Sequence, residues 1–128
     1  MDRKSRISNI AASLSEVDIV AIQEATIDSK RDIESVTELA KLANMQVASY
    51  IYGNVLNKVT GWPQATAILS RLPVVHSNIV IEAPRSTSKI IHQEYDKYAA
   101  SVIRTRSNRL VLIVSIHLPW GAENEDRK

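Results

Sequence analysis

Two polar side chains that follow strand-like segments are the first candidates for chemistry. Glu24 comes directly after residues 18–23, where four consecutive apolar residues show no polar alternation. Such a run is typical of a strand covered on both faces. His117 follows a second apolar run at residues 110–116. Because reactive groups gather at the carboxyl ends of strands in open α/β sheets, we expect this carboxylate and this imidazole to share one edge of a sheet.

The segments that must position these residues have both helical and strand-like periodicity. The predicted helices are residues 3–14 and a later segment carrying Ile33, Val36, Leu39, Ala40 and Ala43 at helical spacing. The predicted strands are residues 18–23, 46–52, 65–69, 74–82, 99–105 and 110–116. A short polar link at residues 106–109 predicts that the last two strands form a hairpin. This order predicts an α/β fold with one mixed β-sheet and flanking helices.

Composition narrows the class of protein. A chain of 128 residues with 45% hydrophobic and 23% charged residues fits one ordinary globular domain. The net charge of +2 is too small, and its basic residues too scattered, to indicate nucleic-acid binding by itself. The absence of cysteine excludes disulfides, thiolate zinc sites and a cysteine nucleophile. No run approaches the roughly 18 apolar residues of a membrane span, and no apolar segment follows the basic start. We therefore expect no membrane span, no signal peptide and a cytoplasmic location.

Three motifs, in order, carry a resemblance to a known family. Residues 18–24 read Asp-Ile-Val-Ala-Ile-Gln-Glu, residues 67–74 read Ala-Ile-Leu-Ser-Arg-Leu-Pro-Val, and residues 114–118 read Val-Ser-Ile-His-Leu. They are similar to the D-I-V-x-L-Q-E, A-I-L-S-R-x-P-I and V-x-T-H-L strands of the endonuclease/exonuclease/phosphatase superfamily, which has the DNase I-like fold. The chain, residues 1–128, resembles the N-terminal part of that domain.

The resemblance implies both a fold and an activity. The family fold is a sandwich of two mixed sheets flanked by helices, and its members cleave phosphate esters with a divalent metal. Glu24 matches the family's metal-binding Glu, which suits Mg²⁺ or Mn²⁺, because Mg²⁺ prefers one or two carboxylates together with water and substrate phosphate oxygens. His117 matches a His that contacts the scissile phosphate or assists the leaving oxygen, where an imidazolium supplies charge and a proton.

The chain also departs from the family pattern. The family places an Asn on a strand before the first helix, whereas Asn9 lies inside the predicted helix. The G-D-x-N and S-D-H motifs of the second half, the latter supplying the His and Asp that activate water, do not occur in the sequence. The expected fold is therefore a partial DNase I-like sandwich, an incomplete domain with one mixed sheet and the second sheet largely missing.

Simpler interpretations stand beside these roles. Without the resemblance, a Glu ending a buried strand is most often a solvated residue at a sheet rim, and a His at a strand end is most often only hydrogen-bonded. Arg71 could contact phosphate, yet a structural salt bridge explains it equally well. His76 and His92 lie among polar residues, which favours the surface for both.

Two functions of different classes remain open, with a weaker third. The chain is either a fragment of a metal-dependent phosphoesterase, acting on a phosphate-ester substrate that could be nucleic acid, or a catalytically silent truncated domain. The silent domain would either need its missing half or self-associate through an exposed apolar sheet face, for which a homodimer is one arrangement. A small nucleotide-binding domain is the third possibility, but no G-x-G-x-x-G or Walker sequence supports it.

Overall fold

A computed structural model describes residues 2–26, 34–56, 63–82 and 97–116. Within these residues, two helices and six strands form a mixed α/β arrangement in which only the first four elements alternate. In chain order they are α1 (Arg3–Ser13), β1 (Ile19–Thr26), α2 (Glu34–Leu42), β2 (Gln46–Leu56), β3 (Pro63–Ser70), β4 (Val74–Glu82), β5 (Lys97–Arg104) and β6 (Leu110–Ser115). No helix among the described residues is long and apolar enough to cross a membrane.

Helix α1 confirms the first predicted helix and begins at a capped end. The side chain of Asp2 accepts a hydrogen bond from the backbone N–H of Ser5 at 2.9 Å, which satisfies one of the unpaired donors of the first turn. This hydrogen bond holds the pKa of Asp2 below its ordinary value of 3.8. Ile7 and Ala11 are buried, one turn apart, and turn the helix toward the core.

The first sheet has the strand order β1-β3-β2, and both of its pairings are antiparallel. Strands β1 and β2 therefore run parallel to each other with β3 inserted between them, which makes β1-α2-β2 a split β-α-β unit. The central strand is fully covered, since residues 65–70 are all buried. The predicted strand at residues 65–69 is thus the middle of this sheet.

The second sheet is an antiparallel meander with the order β4-β5-β6. The predicted hairpin between β5 and β6 is confirmed. Its turn is closed by the N–H of Thr105, which donates to the carbonyl of Arg109 at 2.8 Å. Asn108 takes the left-handed conformation there, with φ of 63°, which Asn tolerates better than most residues.

The hydrophobic core consists of two clusters, one on each face of the first sheet. The helices pack on one face of the first sheet, around Ile7, Ala11, Val36, Leu39, Ala40, Ala43, Met45, Ala67 and Leu69. The other face packs on the second sheet, around Ala48, Ile51, Ile68, Ala99 and Ile103. The order of layers is therefore helices, first sheet, second sheet, and this order brings β1 and β6 into contact across the inter-sheet core.

Two expectations about the sheets are wrong for the described strands. The strands do not form one mixed sheet with the second sheet largely missing, because β4, β5 and β6 hydrogen-bond among themselves as a separate antiparallel sheet. Strand β1 is not an interior strand covered on both faces. It lies at the edge of the first sheet, where Ala21 and Gln23 are exposed, because β3 takes the central position.

Candidate functional site

The C-terminal half of β1 and the end of β6 meet at a side-chain hydrogen bond between the two sheets. Strand β1 continues to Thr26, so Glu24 lies within the strand and does not follow its end as expected. The amide Nε2 of Gln23 donates to the hydroxyl Oγ of Ser115 at 3.1 Å. Ser115 is only 1% exposed and lies at the end of β6. Glu24 is the next residue after Gln23, and His117 is two residues after Ser115. The hydrogen bond therefore joins the residue before Glu24 to the residue two positions before His117.

A β-bulge lies in β1 at the same place. Ile22 is opposite Ala67 and Ala25 is opposite Ala65, so the two residues Gln23 and Glu24 both face the single residue Thr66. A bulge interrupts the strict alternation of side chains between the two faces of a strand, and bulges are over-represented beside active sites. The backbone at Glu24 is consequently irregular where a regular strand would have been expected from the apolar run.

The structure describes the backbone of Glu24 but not of His117, and it describes the side chain of neither residue. Glu24 lies in β1, but its side chain is outside what the structure describes. His117 is also outside the described residues. The metal-binding role of Glu24 and the phosphate-contacting role of His117 stay predictions, and the described contact is the one between their neighbours.

The residues present fit only part of a metal site. Among the described residues, no group of three or more His, Asp or Glu side chains is placed to hold a metal ion. A single carboxylate at residue 24 would provide one ligand, which suits Mg²⁺ with a shell completed by water and phosphate oxygens. Such an arrangement binds a metal weakly until a phosphate joins it.

The opposite end of β1 is held by arginines in structural roles. The guanidinium of Arg71 donates to the carbonyls of Leu14 at 3.2 Å and Ala43 at 2.7 Å, and also to the carbonyl of Val17. Two of these carbonyls follow the ends of α1 and α2, where unpaired carbonyls give the helix a partial negative charge. Arg71 therefore has a structural role among the described residues, and the partners found there are backbone carbonyls and not the carboxylate of a salt bridge.

A salt bridge at the same end of β1 ties the two sheets together. Arg106 in the β5–β6 turn contacts the carboxylate of Asp18 at 2.7 Å, with side-chain exposures of 75% and 35%. Asp18 lies six residues before Glu24, or roughly 20 Å along an extended strand. Neither arginine is thus near the candidate chemistry.

A cavity of about 490 Å³ opens beside Arg71, between the ends of the two helices. It is lined by Ser8, Ala11, Ala12, Ser15, Leu42, Ala43, Asn44 and Arg71. The arginine there already donates to three carbonyls, and helix carboxyl ends repel anions. The cavity is therefore unsuited to phosphate and separate from the β1–β6 contact.

Sequence reasoning missed the polar bridges between the sheets. The Gln23–Ser115 pair joins them at one place, and at another Asn78 accepts a hydrogen bond from the backbone N–H of Tyr50 at 3.1 Å. Asn78 has a φ of 52° beside an irregularity in β4. An Asn inside a strand-like run is the one sequence signal that favours such a bulge. His76 is exposed, as predicted, whereas His92 lies outside the described residues.

In comparisons with protein-family models, curated proteins and solved structures, nothing matches this chain. The resemblance to the endonuclease/exonuclease/phosphatase superfamily consequently rests on the three sequence motifs alone.

Proposed function

We propose that the chain is the N-terminal part of a divalent-metal-dependent phosphoesterase with a partial DNase I-like sandwich. Its parent reaction would be hydrolysis of a phosphodiester or phosphomonoester. The proposal rests on the order of the three motifs and on one contact, the hydrogen bond between Gln23 and Ser115. That contact supports it because it joins the two strand segments whose motifs contain Glu24 and His117.

Each proposed role follows from the chemistry of the side chain. Glu24 would supply a carboxylate oxygen to Mg²⁺ or Mn²⁺. When bound, the cation would neutralise charge on the phosphate. His117, in its protonated form, would donate a hydrogen bond to a phosphate oxygen or a proton to the leaving oxygen. The Gln23–Ser115 pair would keep the ends of β1 and β6 at a fixed separation, so that both groups reach one phosphate.

A second candidate function is a catalytically silent domain. It is favoured by the absence from the sequence of the G-D-x-N and S-D-H motifs, the latter of which supplies the groups that activate water in the family. Without those groups, no residue of the chain is assigned to generate the nucleophile. Adjacent coding sequence containing those two motifs would identify the chain as one part of a complete enzyme.

Metal binding tests the proposed site without requiring turnover. We expect Mn²⁺, added with a phosphodiester, to broaden the amide NMR signals of residues 23–25 and 115–116. The variant Glu24→Gln should abolish this broadening. The matched control Glu16→Gln removes an exposed carboxylate from the segment before β1 and should leave it unchanged. Broadening that is centred elsewhere, or that survives Glu24→Gln, would contradict the site.

Hydrolysis and metal binding together separate the two candidate functions. We expect little or no Mg²⁺-dependent cleavage of plasmid DNA, RNA or a generic phosphodiester by this chain alone. Binding of Mn²⁺ at Glu24 without turnover would identify half of a phosphoesterase site, and neither binding nor turnover would identify a silent domain. Robust turnover that is lost in Glu24→Gln would show that other residues replace the missing motifs.

A further inference from the structure

Strand β6 has an edge unlike the other sheet edges. Among the described strands, β1, β2, β4 and β6 each have one hydrogen-bonded neighbour and lie at the edge of their sheet. The ladders of β1, β2 and β4 are all interrupted by register shifts. The ladder between β5 and β6 has six consecutive pairs, from Ala99–Ser115 to Arg104–Leu110, with no shift. Strand β6 thus lacks the bulges that distort edge strands and discourage further pairing.

The composition of β6 also lacks the residue types that commonly protect an edge strand. Residues 110–116 contain no charged residue and no proline, the two sequence features that commonly block pairing at an edge. Val111 and Ile113 pack into the inter-sheet core. Leu110 and Leu112 point away from it and are 55% and 57% exposed, and Ile116 is 47% exposed. A regular edge and an apolar stripe therefore coincide on one strand.

We propose that β6 is a self-association edge, which pairs antiparallel with β6 of a second copy of this chain. Two identical strands that pair antiparallel are related by a two-fold axis. Both copies therefore use the same surface, and the assembly closes as a dimer. The two three-stranded sheets would join into one six-stranded sheet. The exposed leucines of both copies would then form one apolar surface across the join.

The charges around β6 favour a second copy in this orientation. Arg109 immediately precedes the strand. In an antiparallel pair the two Arg109 side chains lie at opposite ends, separated by at least six residues or roughly 20 Å, beyond the screening length of about 8 Å in physiological salt. A parallel pair would place them side by side. Strand β6 itself carries no charge, so antiparallel pairing with a second copy brings no like charges opposite each other.

Sedimentation velocity over a range of concentrations tests the proposal, which does not depend on the metal and phosphate roles of Glu24 and His117. We expect a reversible monomer–dimer equilibrium. The variant Leu112→Lys places a charge on the exposed side of β6 and should raise the dissociation constant at least about tenfold. The matched control Leu42→Lys makes the same change at a leucine of α2 that is 51% exposed, and should leave the equilibrium unchanged.

Cysteine cross-linking distinguishes edge pairing from other modes of association. The chain has no cysteine, so single variants report without background. Leu112→Cys lies near the middle of β6 and should form a disulfide-linked dimer several-fold faster than Leu110→Cys, which lies at the start. A wild-type chain that stays monomeric at all concentrations, open-ended aggregates, or equal cross-linking of the two variants would overturn the proposal.

Discussion

Replacing Arg71 by alanine should destabilise the fold more than any other arginine substitution among the described residues. The side chain is half-buried and donates to carbonyls of Leu14, Val17 and Ala43. The first and last of these bonds are partly buried. Because the carbonyls would lose a charged donor that water cannot fully replace at a partly buried site, the cost is greater than that of an exposed contact.

The magnitude follows from the two partly buried hydrogen bonds. A hydrogen bond to a charged group contributes about 1.5–3 kcal/mol, and bonds made by one group are not additive, so we expect a total loss of about 3 kcal/mol. Against a total stability of roughly 5–15 kcal/mol, this is a large fraction. With a urea slope of about 2 kcal/mol/M, the unfolding midpoint should fall by about 1.5 M.

The assay is urea unfolding followed by far-ultraviolet circular dichroism. Arg106→Ala is the matched control, since it removes an arginine whose salt bridge to Asp18 is largely exposed and should cost under about 1 kcal/mol. Arg71→Lys should recover part of the loss, because an ammonium keeps the charge but cannot reach three carbonyls in one plane. If Arg71→Ala lowers the midpoint no more than Arg106→Ala does, the role assigned to its backbone hydrogen bonds is refuted.

Three further predictions concern individual hydrogen bonds. In a double-mutant cycle, Gln23→Ala and Ser115→Ala should show a coupling of about 1 kcal/mol in the free energy of urea unfolding. A coupling near zero would show that this hydrogen bond does not stabilise the contact between β1 and β6. Asn78→Ala should cost about 1 kcal/mol more than Asn78→Gly, because both lose the bond from Tyr50 but only alanine resists a positive φ; equal thermal midpoints would contradict this. The Asp2 carboxylate has a lowered pKa, so its stabilising effect is present above pH 3.8 and is lost as the pH falls through the lowered value. The difference in helix content between wild type and Asp2→Ala should therefore disappear in acid, and a difference that persists there would show that the cap does not depend on charge.

The local elements of this fold were predictable because their signals lie within a few residues of one another. Helix α1 follows from the helical spacing of Ile7 and Ala11. Strand β4 occupies residues 74–82, as its apolar run predicts. The β5–β6 hairpin follows from two strand-like runs and a short polar link, since a link this short joins antiparallel neighbours.

The assembly of the strands into sheets was not predictable in the same way. The apolar runs of β1 and β3 look alike in the sequence, yet β3 is central and β1 lies at an edge. The choice depends on which strand can pair on both sides, and that is decided by the connection through α2 and by packing, not by composition. A continuous apolar run indicates burial on average and does not fix the position of a strand in its sheet.

The candidate site was predictable only through residue order. The motifs containing Glu24 and His117 identify two strand segments, but the sequence has no signal for the hydrogen bond of Gln23 to Ser115, which links residues 92 positions apart.

The two ends of β1 are held by different kinds of contact. At its start, a salt bridge and the hydrogen bonds of Arg71 fix the strand against both helices and the second sheet. Toward its carboxyl end, β1 makes one neutral hydrogen bond to the second sheet, and a bulge makes the backbone irregular at the predicted carboxylate ligand before pairing with β3 resumes. One end of such a strand is fixed by stabilising contacts, and the other end is irregular. A reactive group at the irregular end is not needed for stability, because different residues then provide activity and stability.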